Sequence, residues 1–166
     1  MTTQEQCIKL YKSAFGESGE FDDLLFDYFF ENIETLKIGD TVAAMYFKIP
    51  CVLNQSGKKT KAYYIYAVTT HADFRRKGLM SKLFCDTQTE DAFYFLKPSS
   101  DGVIAFYEQA GFRRIVGTRD ETDAIIEVSD AFKKISSLCD KPQSVYPIMI
   151  KGSAKIQSLT FEYTLE

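Results

Sequence analysis

The sequence has no tryptophan, four prolines and a single histidine among its 166 residues. With one histidine, and with Cys7, Cys51, Cys85 and Cys139 far apart, no Cys-x-x-Cys pair or zinc-ligand spacing exists, so no metal is expected. All four cysteines read as reduced thiols that act as small apolar side chains. No apolar run reaches the ~18 residues of a membrane-crossing helix, so no membrane partner is expected. The opening stretch MTTQEQCIKL lacks a hydrophobic signal region, and a cytoplasmic address is the expectation. Neither charge sign is in large excess: 20 basic against 23 acidic residues give a net charge of -3. That leaves no global electrostatic reason to bind nucleic acid. There is no internal repeat and no low-complexity tract.

What is present suits a well-filled core. Hydrophobic residues make up 45% of the chain, and its aromatic side chains are 14 Phe and 10 Tyr. The length fits one domain over 1–166. Cys7, Ile8, Tyr11, Ala14 and Phe15 form an apolar stripe at helical spacing, with Thr3 as cap and Gly16 as stop. Phe21, Leu24, Leu25, Tyr28 and Phe29 form a second, with Asp22 and Asp23 in its first turn and on a solvated face. Strand signals follow at Thr35–Ile38, Thr41–Leu53 and Lys61–Thr69, with Gly39-Asp40 as a tight turn. A basic loop over 70–77 leads into a short helix that starts near Gly78 and ends before Asp91. Phe93–Leu96 reads as a strand, Val103–Ala110 as a helix closed by Gly111, and Phe112–Val116 as a strand. Strand–helix–strand connections of this length permit parallel pairing. Further on, Ala124–Val128 reads as a strand and Ser129 caps a helix through Leu138. Val145–Ile150 and Ile156–Leu165 read as a hairpin that closes one edge of the sheet.

The segment Val68–Leu83 (VTTHADFRRKGLMSKL) carries the chemistry. A strand, then a basic loop, then a helix N-terminus presents unpaired N–H groups and partial positive charge, a setting for a pyrophosphate. Arg75, Arg76 and Lys77 add charge, and Gly78 lets a ligand approach the backbone. The run Arg75-Arg76-Lys77-Gly78-Leu79-Met80 resembles motif A of the GNAT (GCN5-related N-acetyltransferase) superfamily, with Met80 where a small residue is usual. The run Gly78-Leu79-Met80 after basic residues is similar to the enhanced-intracellular-survival-like branch, represented by its N-terminal domain only. The segment Asp101–Phe112 (DGVIAFYEQAGF) resembles the superfamily's second signature through Phe106, Tyr107, Gly111 and Phe112.

The resemblance implies an α/β fold, a central mixed and mostly antiparallel sheet flanked by helices. It places a cofactor-binding core over 60–116 and completion of the sheet over 117–166. It implies that acetyl-CoA is the co-substrate, its pyrophosphate held by the amides of Arg76, Lys77, Gly78, Leu79, Met80 and Ser81 beside Arg75. The pantetheine arm runs along Tyr66, Ala67 and Val68, whose strand end offers an N–H to the developing oxyanion. Tyr107 would protonate the departing thiolate; a phenol near pKa 10 can hold a proton for a thiol near 8.5. The acceptor would be a small-molecule or peptide amine, attacking directly. A general base is missing from the strand Tyr63-Tyr64-Ile65-Tyr66, which leaves Glu31, Glu34 or a water chain as the alternatives. His71 reads as a solvated loop residue. The tyrosines of 63–66 and the aromatic helix 21–30 suggest a partly apolar acceptor pocket. A homodimer is allowed by unpaired C-terminal strands. The rival reading is a non-catalytic acyl-CoA-binding sensor or interaction module.

Overall fold

The computed structural model describes residues 1–118, 124–139, 148–152, 154–161, 163 and 165, without the side chains of 116–118. The helices are α1 (Thr3–Phe15), α2 (Glu20–Phe29), α3 (Leu79–Thr87), α4 (Ile104–Gln109) and α5 (Asp130–Ser136). The strands are β1 (Ile33–Ile38), β2 (Thr41–Gln55), β3 (Lys58–Thr70), β4 (Phe93–Leu96), β5 (Arg113–Thr118), β6 (Ala124–Glu127), β7 (Ile148–Lys151) and β8 (Ser158–Thr160). The expected α/β architecture, a mixed sheet with helices on it, is what forms. The chain folds as two compact units, one of residues 1–49 and 65–89, the other of 50–64 and 90–166. The long strands β2 and β3 run through both.

In the first unit, α1 begins on a capping box. Thr2 Oγ1 accepts from the Glu5 amide and the Glu5 carboxylate accepts from the Thr2 amide, which satisfies two donors a helix start leaves open. The cap is thus Thr2, one residue before the Thr3 expected from sequence. Gly16 ends the helix at φ +79°, its amide returning to the Lys12 carbonyl. The buried residues of α1 (Cys7, Leu10, Tyr11), α2 (Leu25, Phe26, Phe29) and α3 (Met80, Leu83, Phe84) repeat at three and four residues, the spacing of one helix face. Tyr11, Phe26 and Phe47 meet edge to face, with centroids 5.4–6.4 Å apart. Each buried ring of this kind contributes about 2–3 kcal/mol through area removed from water. β1 pairs antiparallel with β2, from Ile33 opposite Phe47 to Ile38 opposite Thr41. Lys48 Nζ bonds the Thr87 carbonyl at 2.6 Å, placing a cation on the negative end of α3.

Asp22 departs from expectation. It is 3% exposed, with Oδ2 accepting from the Ser18 amide at 2.7 Å and Oδ1 without a partner among the described residues. Its position in the first turn of α2 was legible, but the connection Gly16–Gly19 folds back over it. Asp22 therefore closes that connection rather than standing on a solvated face.

In the second unit the strands follow the order β2-β3-β4-β7-β5-β8-β6, and β6 returns to pair antiparallel with β2 over Val52–Gln55. The ladder closes on itself. β3 and β4 are parallel, as the strand–helix–strand spacing requires. The expected C-terminal hairpin does not form: β7 lies between β4 and β5, while β8 pairs parallel with β5 and β6. The cause is that β7 is nearly all buried (Ile148, Met149, Ile150), and a strand apolar on both faces belongs inside a sheet. Residues 145–147, expected at the start of that strand, lie outside the described residues. Pro50 is exposed within β2, between the stretch paired with β1 and the stretch paired with β6, where a missing N–H is tolerated. Tyr64, Phe95, Phe132 and Phe161 pack ring on ring at 5.0–6.1 Å.

Two thiols fit the interior reading and one does not. Cys7 and Cys51 are buried, and burial pushes their thiols up to about 11 and about 12. Cys85 is exposed on α3 and Cys139 is half-buried. The stripe Met80, Leu83, Phe84 is the inward face of α3, which puts Cys85 outward. A disulfide reagent should therefore modify Cys85 first, Cys139 slowly, and Cys7 and Cys51 only on unfolding. Fast labelling of Cys7 or Cys51 in the native protein, read by peptide mapping, would contradict this packing.

Candidate active site

The turn between β3 and α3 is built by backbone conformation. Within β3, Ala67 has φ +54°, a left-handed conformation that a strand alanine rarely takes; it costs about 1 kcal/mol or more and marks a local break in the ladder. Thr69 Oγ1, buried, donates to the Ala67 carbonyl at 3.1 Å and holds the distorted segment. The β3–β4 ladder covers Ala62–Tyr64 and stops there, so Tyr66, Ala67 and Val68 lie beyond it.

The loop that follows is anchored at both ends. The His71 amide donates to the Ala43 carbonyl at 2.8 Å, and Arg75 Nε donates to the Thr70 carbonyl at 3.2 Å. His71 Nδ1 accepts from the Asp73 amide at 3.2 Å, so the single histidine, expected as a solvated loop residue, is half-buried and shapes the loop. Lys77 Nζ stands 5.5 Å from the centre of the Phe74 ring, an attraction that fixes the cation's direction. Arg76 at φ +63° and Gly78 at φ +71° are both left-handed. Alternation of this kind turns successive N–H groups to one side, a concavity for an anion.

α3 then starts at Leu79 with no side-chain cap. Its first internal bond runs from the Lys82 amide to the Gly78 carbonyl. Among the described residues, nothing accepts from the amides of Leu79, Met80 and Ser81. A Cβ built on Gly78 meets nothing within 4 Å; the glycine serves its φ and leaves open space in front of the helix. Met80 is 7% exposed, so its side chain packs inward while its amide stays with the open ones. A large residue at this position therefore fits, and the residues present suit a bound pyrophosphate: orphan donors, three cations and no carboxylate between Arg75 and Ser81.

Tyr107 belongs to the other unit. It lies on α4 at 8% exposure, against Phe106 at 5.3 Å and Phe112 at 5.9 Å. Its hydroxyl has no hydrogen-bond partner among the described residues, and burial pushes the phenol up to about 12. Gly111 follows at φ +96°, and the Phe112 amide returns to the Tyr107 carbonyl at 3.0 Å, the left-handed ending expected for this helix. Among the described residues no group competes for the Tyr107 proton, and the phenol keeps it throughout the neutral range.

The candidate bases are less favoured. Glu34 Oε1 is 3.6 Å from Lys48 Nζ, an ion pair that occupies it, and Glu31 is exposed. Of the rings expected around an apolar acceptor pocket, Tyr64, Phe26 and Phe29 are buried in their units' cores, while Phe21, Tyr28, Phe30, Tyr63 and Tyr66 keep partial exposure. Thr69 shapes the turn without having been expected, and Ala67 was expected as a main-chain contact but not in a left-handed conformation. Phe74, an aromatic among basic residues, left a signal in the sequence.

Comparison with known proteins bears on the family and the fold. The family model for the acetyltransferase (GNAT) domain matches residues 2–115. No curated protein matches the chain. Among solved structures, a conserved protein of Enterococcus faecalis, a probable N-acyltransferase, shares 19% identity at a TM-score of 0.57 over 68% of this chain and 30% of its own. Eis1 of Mycobacterium abscessus shares 12% at 0.52, again over 68% and 30%. The ribosomal-protein-S18-alanine N-acetyltransferase of Escherichia coli shares 15% at 0.54, over 93% of each chain. The chain thus spans under a third of the first two. At these identities the likeness is one of fold, whereas the family match covers most of the chain and carries both motifs: this chain belongs to the GNAT acetyltransferase family.

Proposed function

We propose that the chain transfers an acetyl group from acetyl-CoA to a primary amine of a small molecule or peptide, by direct attack in a ternary complex. The observation that supports this reading is the set of open amides at the start of α3, preceded by the left-handed Arg76 and Gly78 and flanked by Arg75 and Lys77. Acetyl-CoA supplies the acyl group as a thioester already reactive toward amines. The amides from Arg76 to Ser81 hold the pyrophosphate, and the guanidinium and ammonium groups beside them offset its charge. The main chain of Tyr66, Ala67 and Val68 orients the pantetheine arm, and an N–H at the Ala67 break stabilises charge developing on the thioester oxygen. Tyr107, assigned from the motif it shares with Phe106, Gly111 and Phe112, gives its proton to the departing sulfur. The attacking amine loses its proton to water. No residue is acylated. A cytoplasmic address, a homodimer as the allowed assembly, and no role for nucleic acid, membrane or metal belong to the same proposal. So does kinship with the Eis-like branch, which rests on Gly78-Leu79-Met80.

The second reading, an acyl-CoA-binding module without turnover, draws on the absence of a carboxylate from 63–66 and on the pairing of Glu34 with Lys48. Coenzyme A thiol release, measured with a panel of polyamines, amino acids, amine antibiotics and peptide N-termini, separates the two. Saturable amine-dependent release above the hydrolysis background is expected. Tight acetyl-CoA binding with no release across the panel would favour the binding module.

A further inference from the structure

The closed ladder of the second unit leaves a concavity at one of its ends. β2 finishes there at Gln55, opposite Ala124 at the start of β6, and β5 and β8 start there at Arg113 and Ser158. A cavity of about 560 Å³ lies among Gln55, Arg113, Ala124, Lys155, Gln157 and Ser158, a volume that suits a small molecule. None of these residues belongs to the unit that carries the turn before α3.

Among the described residues the lining is rich in donors and carries no carboxylate. Arg113 gives one nitrogen, Nη2, to the Ile156 carbonyl at 2.6 Å. That bond fixes the guanidinium at the cavity, and its Nε and Nη1 have no acceptor among the described residues. Gln55 Nε2 spans to the Lys155 carbonyl at 3.3 Å and pins the main chain beneath Lys155. The Lys155 ammonium, the Gln157 amide and the Ser158 hydroxyl likewise have no protein partner among the described residues. Cations nearby in the fold behave differently: Arg114 pairs with Glu108 at 3.5 Å and Lys59 with Glu127 at 3.4 Å. One fixed guanidinium, an exposed ammonium and two neutral donors around one concavity match a ligand that offers several acceptor oxygens and negative charge.

We propose that this cavity binds a small oxyanion, a phosphate ester or a polycarboxylate, at a site separate in sequence from the coenzyme turn. The ligand's oxygens bridge the guanidinium of Arg113 and the ammonium of Lys155, and Gln157 and Ser158 complete its hydrogen bonds. The test is calorimetric titration at constant ionic strength with inorganic phosphate and, separately, with citrate. It uses the parent chain, Lys155→Glu and Gly78→Asp. Lys155 is exposed and its side chain is unpartnered, so the charge reversal leaves folding intact, which circular dichroism checks. A saturable component is expected for at least one anion, weakened about tenfold or more by Lys155→Glu and kept in Gly78→Asp. Response to phosphate alone assigns a phosphate ester, response to citrate alone a polycarboxylate. Absence of saturable binding by both anions overturns the proposal. Binding lost in Gly78→Asp and untouched by Lys155→Glu overturns it as well, because the anion then sits at α3.

Discussion

Gly78→Asp lowers acetyl-CoA affinity by about a hundredfold or more while leaving the fold intact. A carboxylate about 4 Å from a pyrophosphate charge costs a few kcal/mol at the effective dielectric of a protein surface, and about 2.7 kcal/mol is a hundredfold. The variant is informative because its structural cost is small. A Cβ at residue 78 meets nothing within 4 Å. The left-handed φ of +71° costs a non-glycine residue about 1 kcal/mol, less for Asp, and a carboxylate before the uncapped α3 recovers part of that through the helix dipole. Gly78→Ala adds the backbone cost without the charge and should lose far less affinity. Equal losses in the two variants would mean that the glycine matters for shape alone. Calorimetry on both, with melting temperatures alongside, separates charge from shape.

Tyr107→Phe lowers kcat by about tenfold to a hundredfold, with the melting temperature and the acetyl-CoA affinity close to those of the parent. General acids contribute ~10²–10⁴ in rate, and a thiol is already a fair leaving group, so the lower part of the range applies. Phenylalanine keeps the ring that packs on Phe106 and Phe112, and no protein hydrogen bond is lost among the described residues. Burial holds the phenol near 12, so Tyr107 stays protonated up to the limit of enzyme stability. Loss of activity at alkaline pH below about pH 10 must then come from another group. An unchanged kcat in the variant, under conditions where chemistry limits the rate, would make Tyr107 a core residue and remove it from the mechanism.

The turn before α3 was legible because it depends on local order: a strand, three basic residues, a glycine and a helical stripe, all within Val68–Leu83. The ending of α4 at Gly111 was legible for the same reason. The strand Phe93–Leu96 followed from an apolar run stopped by Pro98, and the ending of α1 from Gly16. What escaped reading either leaves no mark in residue type or depends on contacts far apart in the chain. Ala67 carries no mark of its left-handed conformation, since alanine is as common in plain strands. The burial of Asp22 follows from how Gly16–Gly19 folds back, and an acidic residue in a first helical turn looks the same whether buried or solvated. The place of β7 between β4 and β5 is a matter of long-range pairing, and two consecutive strands near a chain end read naturally as a hairpin. The return of β6 to β2, which builds the oxyanion cavity, joins residues about seventy apart, Val52 with Glu127, and no local pattern announces it.

The most direct test of the coenzyme turn is an amide-resolved nuclear magnetic resonance titration of the parent chain with coenzyme A. Saturable shifts concentrated on the amides of Arg76 to Ser81, with a second group at Ala67 and Val68, are predicted. No saturable shift at millimolar coenzyme A, or shifts that leave those amides unmoved, would contradict the account.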